Sequence, residues 1–351
     1  MRVIEVRPLL DTIFNQEPEL PSRVDSVEQV RWDHCDVYRV SADGLQYMVH
    51  VTAEARGQLV TARQNLERLA PIAEERIPRA VAWRDSGDAA PGSEWAILVS
   101  TRVLGTELTG RKFSWVLWCD LKELLSRIHR MPAESVDADV ISLPVHQPAA
   151  FAGVAEAVQA LVGLLRVPLS RERVRRHLDA MSEYLHEHTA SFRVPTRFIH
   201  GDLNPSNIVA DGSRAGIVDW AEFGHGDYAY DLATLKFSLD SIVPQMSSGL
   251  LREQVIEYRS HFEDDSLETR LRFFLALPGL VAALSFPSYR SPSRAWRVRT
   301  CFLHSEAQWR EPLRLSGPYI GAPAAPTAHS PLAVSNPFRG LAHVLGARWT
   351  T

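Results

Sequence analysis

Apolar and polar positions alternate with a period of two over residues 37–40 and again over residues 45–51, on either side of Ala42-Asp43-Gly44. Two β-rich runs joined by an Asp-Gly turn predict an antiparallel hairpin. The period then changes. Leu59, Ala62, Leu66, Leu69 and Ile72 recur at helical spacing, which predicts an amphipathic helix ending near Pro71. A short strand around residues 80–83, a Gly/Pro/Ser/Asp loop over 85–93 and an apolar strand over 95–99 follow. Strand, strand, helix, strand, strand describes a small α+β lobe.

Beyond Leu104-Gly105 the pattern is mostly helical. Helices are expected over residues 115–130, 151–166 and 171–189, with a polar, proline-containing linker over 132–147. A hairpin at 207–210 and 215–219, turning at Asp211-Gly212-Ser213, interrupts them before helices resume from Leu232 to about Arg310. Residues 273–286 are the most apolar stretch; Pro278 interrupts them and they are too short for a bilayer, so a buried helix is expected. Six tryptophans, Trp32, Trp83, Trp95, Trp115, Trp118 and Trp220, read as core and hinge packing. From Ser316 the chain is rich in Pro, Ala, Gly and Ser without periodicity, which reads as a weakly packed tail.

Composition narrows the function classes. The chain has 351 residues, 45% of them hydrophobic and 23% charged, which suits two globular lobes. A formal charge of −4 gives no basic field for nucleic acid and is compatible with a cationic small-molecule ligand. Cys35, Cys119 and Cys301 are too scattered for a disulfide framework or a metal spacing, and no apolar run of signal-peptide length follows the charged first residues. A cytoplasmic protein without membrane association is expected. Lys112, Lys122 and Lys236 are the only lysines, and none falls in the first hundred residues.

The chemistry concentrates in Phe198-Ile199-His200-Gly201-Asp202-Leu203-Asn204-Pro205-Ser206-Asn207 and in Ile217-Val218-Asp219-Trp220. One Asp follows a short apolar strand, an Asn comes after four intervening residues, and a hairpin presents a second Asp. Phosphoryl transfer asks for such a set: a carboxylate to take the proton of the attacking hydroxyl, and amide and carboxylate oxygens to hold Mg²⁺ against phosphates.

Here the chain resembles the aminoglycoside phosphotransferase family of the protein-kinase-like superfamily, relatives of choline, homoserine and fructosamine kinases. His200-Gly201-Asp202 with Asn207, and Val218-Asp219-Trp220, carry the resemblance. Asp227 with Asp231-Leu232-Ala233, Ile97-Leu98-Val99-Ser100 before Leu104-Gly105, and Leu125 through His129 to Pro132 extend it over residues 30–240 or so. The resemblance implies an α+β, protein-kinase-like two-lobed fold, with a small β-rich N-lobe and a larger, mainly helical C-lobe. Its parts would be a nucleotide lobe (1–99), a hinge (100–102), a catalytic and acceptor-binding lobe (103–315) and the tail (316–351). It implies ATP or GTP as co-substrate, Mg²⁺, and a hydroxyl-bearing small molecule as acceptor. Asp202 would be the catalytic base, Asn207 and Asp219 the Mg²⁺ ligands, and the hinge, with Ser100 and Arg102, would meet the purine.

The first lobe departs from the family. His50 stands where the phosphate-binding Lys or Arg is expected, and Arg39 on the adjacent strand is the other cation available. Gln64 and Glu67 are the nearest candidates for the helix Glu, and the turn 31–36 contains no glycine. These changes leave a non-catalytic, kinase-shaped binding protein as the alternative. His200 is expected to pack and hydrogen-bond, Asp231 to cap or brace, and Glu222 and Asp227 to be solvated loop carboxylates, with contact to a cationic ligand as the alternative.

Overall fold

The computed structural model describes residues 3–31, 35–52, 56–85, 95–110, 112–131, 148–220, 224–285 and 292–310. Residues 32–34 of the expected turn 31–36, most of the loop over 85–93, the linker, Glu222 and the tail lie outside them. The chain divides into two compact units. One comprises Met1–Glu107, Ser114–Leu121 and Asn207–Phe223; the other comprises Leu108–Phe113, Lys122–Ser206 and Gly224–Thr351.

The first unit is built on an antiparallel sheet of five strands in the order β1-β2-β3-β5-β4. These are β1 (Ser26–Arg31), β2 (Asp36–Ala42), β3 (Leu45–Thr52), β4 (Ala80–Asp85) and β5 (Ala96–Thr101). The β2–β3 turn places Asp43 at φ 48° and Gly44 at φ 76°, the pair of positive values that suits strand twist in a two-residue hairpin. Helix α1 (Val3–Gln16) packs Val6, Leu10, Ile13 and Phe14 onto Tyr38, Val40, Tyr47, Val49, Val51, Ile97 and Val99. Strand periodicity therefore assigns Val37, Arg39, Met48 and His50 to the opposite face. Helix α2 (Arg56–Leu69) buries Leu59, Ala62, Asn65, Leu66 and Leu69. A second sheet, β6-β8-β9, pairs Thr106–Glu107 with the hairpin of β8 (Ile208–Asp211) and β9 (Arg214–Ile217).

The hairpin, the helix after it and the two following strands stand where the pattern put them. Helix α1 and strand β1 are additions. Pro8 interrupts the α1 pattern, and β1 is an edge strand, with a register shift between Gln29 and Arg31 and Val30 exposed, so neither shows a clean period.

Helix α3 (Trp115–His129) contributes residues to both units. In the second unit, α4 (Pro148–Leu164), α5 (Arg171–Glu187), α6 (Tyr228–Ile242), α7 (Pro244–Phe262), α8 (Leu267–Ser285) and α9 (Pro292–Arg310) surround one apolar cluster. Residues 273–283, apart from Pro278 and Gly279, supply its centre, as expected of a buried helix. Among the described residues no helix is long and apolar enough to cross a membrane. Strands β7 (Arg197–Ile199) and β10 (Gly224–Gly226) pair antiparallel beside this cluster. Of the tryptophans read as packing residues, Trp118 and Trp220 are buried, but Trp115 is 45% exposed because it opens α3 with one side of the first turn uncovered.

His177 on α5 is buried against Phe302, its ring nitrogen Nε2 2.8 Å from the Ser305 hydroxyl. Burial pushes its pKa down to about 4, against a smaller upward pull from Glu306. An unfolded chain would protonate this group near pH 6.5 and the folded one near 4, so its contribution to stability is present above 6.5 and is lost as pH falls between the two. The loss amounts to about 3 kcal/mol. Chemical denaturation of His177→Gln, which keeps a hydrogen-bonding group but cannot titrate, should show a correspondingly shallower fall in stability from pH 6.5 to 4 than the wild type.

Candidate active site

The second unit carries His200-Gly201-Asp202. Phe198 and Ile199 are buried on β7, and the chain leaves that strand with Gly201 at φ 80°, a conformation that a side chain would strain. The loop backbone is tied to one carboxylate. Asp231 Oδ2 accepts from the His200 N–H at 2.7 Å, and Oδ1 from the Gly201 N–H at 2.8 Å. His129 Nε2 lies 3.0 Å from Oδ2 and its Nδ1 2.8 Å from the Tyr258 hydroxyl. A carboxylate can only accept, so Nε2 carries the proton and Nδ1 takes the Tyr258 O–H. Burial holds Tyr258 well above the usual phenol pKa, which keeps that donor in place. Asp231 thus braces the loop, as expected of it; His129, which the resemblance touched without assigning a task, is its partner.

Within the loop, His200 is fully buried and its Nδ1 accepts from the Asp202 N–H at 3.2 Å. Asp202 is 1% exposed, and its Oδ1 accepts from the Asn204 amide at 3.0 Å. Asn204 Oδ1 in turn accepts from the Ser206 N–H at 2.9 Å, and Ser238 Oγ donates to Leu203 O at 2.7 Å. Each link is short in sequence or anchored on α6, so the loop's shape is over-determined.

Asp227 overturns an expectation. It is buried, not solvated: it caps α6 by accepting from the Ala229 N–H at 2.9 Å and pairs with the fully buried guanidinium of Arg270. Arg270 also reaches Asp264 at 2.7 Å. Burial alone would raise the Asp264 pKa, but hydrogen bonds from Arg270 and Tyr228 outweigh it and hold the carboxyl well below its usual range. The arginine that neutralises Asp227 lies 43 residues further along, beyond the reach of local pattern.

The first unit carries Asn207 and Asp219 at the open end of the β8–β9 hairpin. Ile208 pairs with Ile217, and the Val218 N–H donates to Asn207 O at 2.9 Å, so the two candidate ligands flank one end of the ladder. Asn207 is buried and Asp219 half-buried. Asp219 adopts φ 63°, a left-handed conformation costing about 1–2 kcal/mol per residue. It persists because its flanks are held. The Ile217 N–H donates to Arg76 O at 2.8 Å, Trp220 Nε1 to Ile217 O at 2.9 Å, and Asn65 Nδ2 to Trp220 O at 3.0 Å. Arg76, buried just after α2, also donates to Ala215 O at 3.1 Å and to the Asp120 carboxylate at 3.0 Å, which itself accepts from the Ala215 N–H. Among the described residues no three His, Cys, Asp or Glu side chains cluster as a metal site.

The remaining site residues share one face of the five-stranded sheet. Met48 lies opposite Arg39 on β2 and opposite Ser100 on β5; His50 lies opposite Val37 and Leu98. His50 is thus one strand period, roughly 7 Å, from the Arg39–Met48–Ser100 row. Arg102, next beyond β5, donates to Gln46 Oε1. Its pKa is lowered, first by burial and then by the charge of Arg39, which Glu28 partly offsets while pairing with Arg39 at 3.4 Å. The backbone at the end of β5 is partly committed: the Thr101 N–H donates to Arg79 O at 2.9 Å and the Arg102 N–H to Gln46 O at 3.1 Å. Neither candidate for the helix Glu faces inward. Gln64 and Glu67 are exposed, Glu67 pairing with Arg63 at 2.7 Å, and the inward polar residue of α2 is Asn65. A polar residue inside the stripe Leu59, Ala62, Leu66, Leu69 was the signal that could have found it.

Known proteins bear on this geometry. No curated protein matches the chain in sequence. Solved structures resemble it in fold. The GDP complex of wild-type aminoglycoside 2′-phosphotransferase-IIIa aligns at 19% identity with a TM-score of 0.63, covering 88% of this chain and 99% of that one. Amicoumacin kinase hAmiN, in complex with AMP-PNP, Ca²⁺ and Ami, aligns at 14% with a TM-score of 0.64, covering 89% and 95%. A thermostable mutant of aminoglycoside phosphotransferase APH(4)-Ia, in ternary complex with ADP and hygromycin B, aligns at 15% with a TM-score of 0.59, covering 87% and 98%. All share the kinase-like fold. A model of the phosphotransferase enzyme family matches residues 27–274, and with most of its length so covered the chain belongs to that family.

Proposed function

We propose that the chain transfers the γ-phosphoryl group of ATP or GTP to a hydroxyl of a small molecule, with Mg²⁺ as cofactor. The acceptor class is an antibiotic, a sugar or an amino alcohol. The observation that carries the reading is the loop His200–Asn204, whose backbone is fixed by a fully buried carboxylate and which presents a second, buried carboxylate on Asp202. A fold that needed no chemistry here would have little use for two desolvated acids within one loop system.

The donor set suits Mg²⁺. A side-chain amide oxygen and a carboxylate flanking the open end of the hairpin are hard oxygen ligands, and Mg²⁺ is commonly held by one or two carboxylates together with substrate phosphates. When bound there, the ion would neutralise charge on the phosphates. Asn207 and Asp219 would hold it. Asp202, oriented by the Asn204 amide, would accept the proton of the acceptor hydroxyl as its oxygen attacks phosphorus and the bond to the nucleoside diphosphate breaks. His50 occupies the strand position from which a cation would meet the phosphates, while Arg39, Ser100 and Arg102 border the base end of the same sheet face. Because the Thr101 and Arg102 N–H groups are already bonded, a purine would meet backbone beyond Arg102. Complexes of the structural neighbours with ADP, AMP-PNP, GDP, Ca²⁺, hygromycin B and Ami support a nucleotide and a small-molecule acceptor as the two substrates.

Two measurements test this reading. ATP or GTP with Mg²⁺, at about a hundred times its dissociation constant, should stabilise the protein by roughly 2.7 kcal/mol, and Asp219→Ala should abolish the Mg²⁺-dependent part. Absence of stabilisation in the wild type by either nucleotide would favour a kinase-shaped binding protein. Once an acceptor is found, Asp202→Ala should lower kcat by roughly 10²–10⁴ with nucleotide binding retained; full turnover in that variant would remove Asp202 from the mechanism.

A further inference from the structure

In the kinase arrangement a helix Glu pairs with a strand Lys and so fixes the helix relative to the nucleotide. This chain has neither residue in place: His50 occupies the strand position, and Gln64 and Glu67 point outward from α2. What α2 turns inward is Asn65, fully buried among Leu59, Ala62, Leu66 and Leu69. An amide at such a position costs desolvation unless it is bonded. Its bond is long-range. Nδ2 donates to the carbonyl of Trp220, 155 residues away in sequence and one residue past Asp219. Asp219, just beyond the hairpin, is left-handed, and a backbone conformation of that kind is kept by what surrounds it. Other bonds at its flanks come from the hairpin and from the Arg76 segment; this one comes from the body of α2.

We propose that Asn65 is a positioning residue for Asp219. Through the Trp220 carbonyl it ties α2 to the metal-ligating end of the hairpin, so that the helix sets the carboxylate's geometry directly rather than through an ion pair with a strand cation. The inference rests on the reading that Asp219 holds Mg²⁺. Mg²⁺ demands near-octahedral geometry at short range, so a small rotation of the Asp219 backbone weakens its binding before it weakens the fold.

Asn65→Leu, similar in volume and without a donor, tests it in the full chain, with Glu67→Gln on the outer face of α2 as control. Hydrogen exchange without ligand comes first: the segment 214–220 should exchange several-fold faster in Asn65→Leu than in the wild type or the control. Equal exchange overturns the tie. Next comes Mg²⁺ titration of nucleotide-dependent melting, where the half-effective Mg²⁺ concentration should rise about tenfold, as for other groups that orient a metal ligand. Nucleotide binding without metal should stay unchanged. Faster exchange with an unmoved Mg²⁺ midpoint would make Asn65 structural and overturn the proposal. If Asn65→Leu does not fold, Asn65→Gln, which keeps the amide one methylene out, serves for both measurements with the same expected directions. A wild type lacking Mg²⁺-dependent nucleotide binding would overturn the phosphotransferase reading and this inference together; a normal wild type with an indifferent variant overturns the inference alone.

Discussion

Asp231 is a carboxylate with no access to solvent, and a charge in that position survives only with donors aimed at it. It draws two from the backbone of His200 and Gly201 and one from His129, and it sits in the first turn of α6, where the helix dipole adds to its stabilisation. Loop geometry follows from this demand. The N–H groups must point at Asp231, Gly201 must take its positive φ, and Asp202 is left at a fixed place just beyond. His129 in turn needs its proton on Nε2, which Tyr258 secures by donating to Nδ1. A chain of buried groups from α3 and α7 therefore ends on the loop that presents Asp202.

Asp227, four residues earlier, meets the same electrostatic problem differently. It takes a guanidinium from α8 and the N–H of Ala229, and acts as the cap that starts α6. Two acids within one turn thus divide the work: one fixes where the helix begins, the other fixes the loop packed on it. Exchanging their partners is not an option, because Arg270 in place of the loop N–H groups would satisfy Asp231 and leave the backbone of His200 and Gly201 without acceptors.

The shape of the His200–Asn204 loop and the hairpin after it were legible because their constraints are local: an apolar strand, a glycine, an acid and an amide at fixed short spacings, then an Asp beyond an Ile-Val strand. Asp231 was legible as a brace for the same reason. Asp227 was misread because its partner is remote, and a lone Asp before Tyr looks like any loop carboxylate. Helix α1 was hidden by Pro8, although Val6, Leu10, Ile13 and Phe14 do form a stripe. Asn65 was not legible because the helix position is expected to carry a charge. A neutral amide in an apolar stripe breaks a local rule without announcing a chemistry, and such breaks are where functional constraint is found.

The divergence of the first unit then takes on a different aspect. A Lys–Glu pair of the kinase kind holds phosphates and fixes the helix at once; in this chain other contacts fix the helix. Fixing the helix falls to hydrogen bonds between neutral groups, Asn65 to Trp220 and the Arg76 backbone to Ile217, supplemented by the Arg76–Asp120 ion pair. None of these requires a cation on β3. Arg39 and Arg102 stand at the other end of the same face, where their mutual repulsion is relieved by Glu28 and where an anion or a polar base edge would relieve it further. On this face the permanent positive charge is carried by Arg39 and Arg102 and balanced by Glu28, while α2 is held by neutral hydrogen bonds and the Arg76–Asp120 pair.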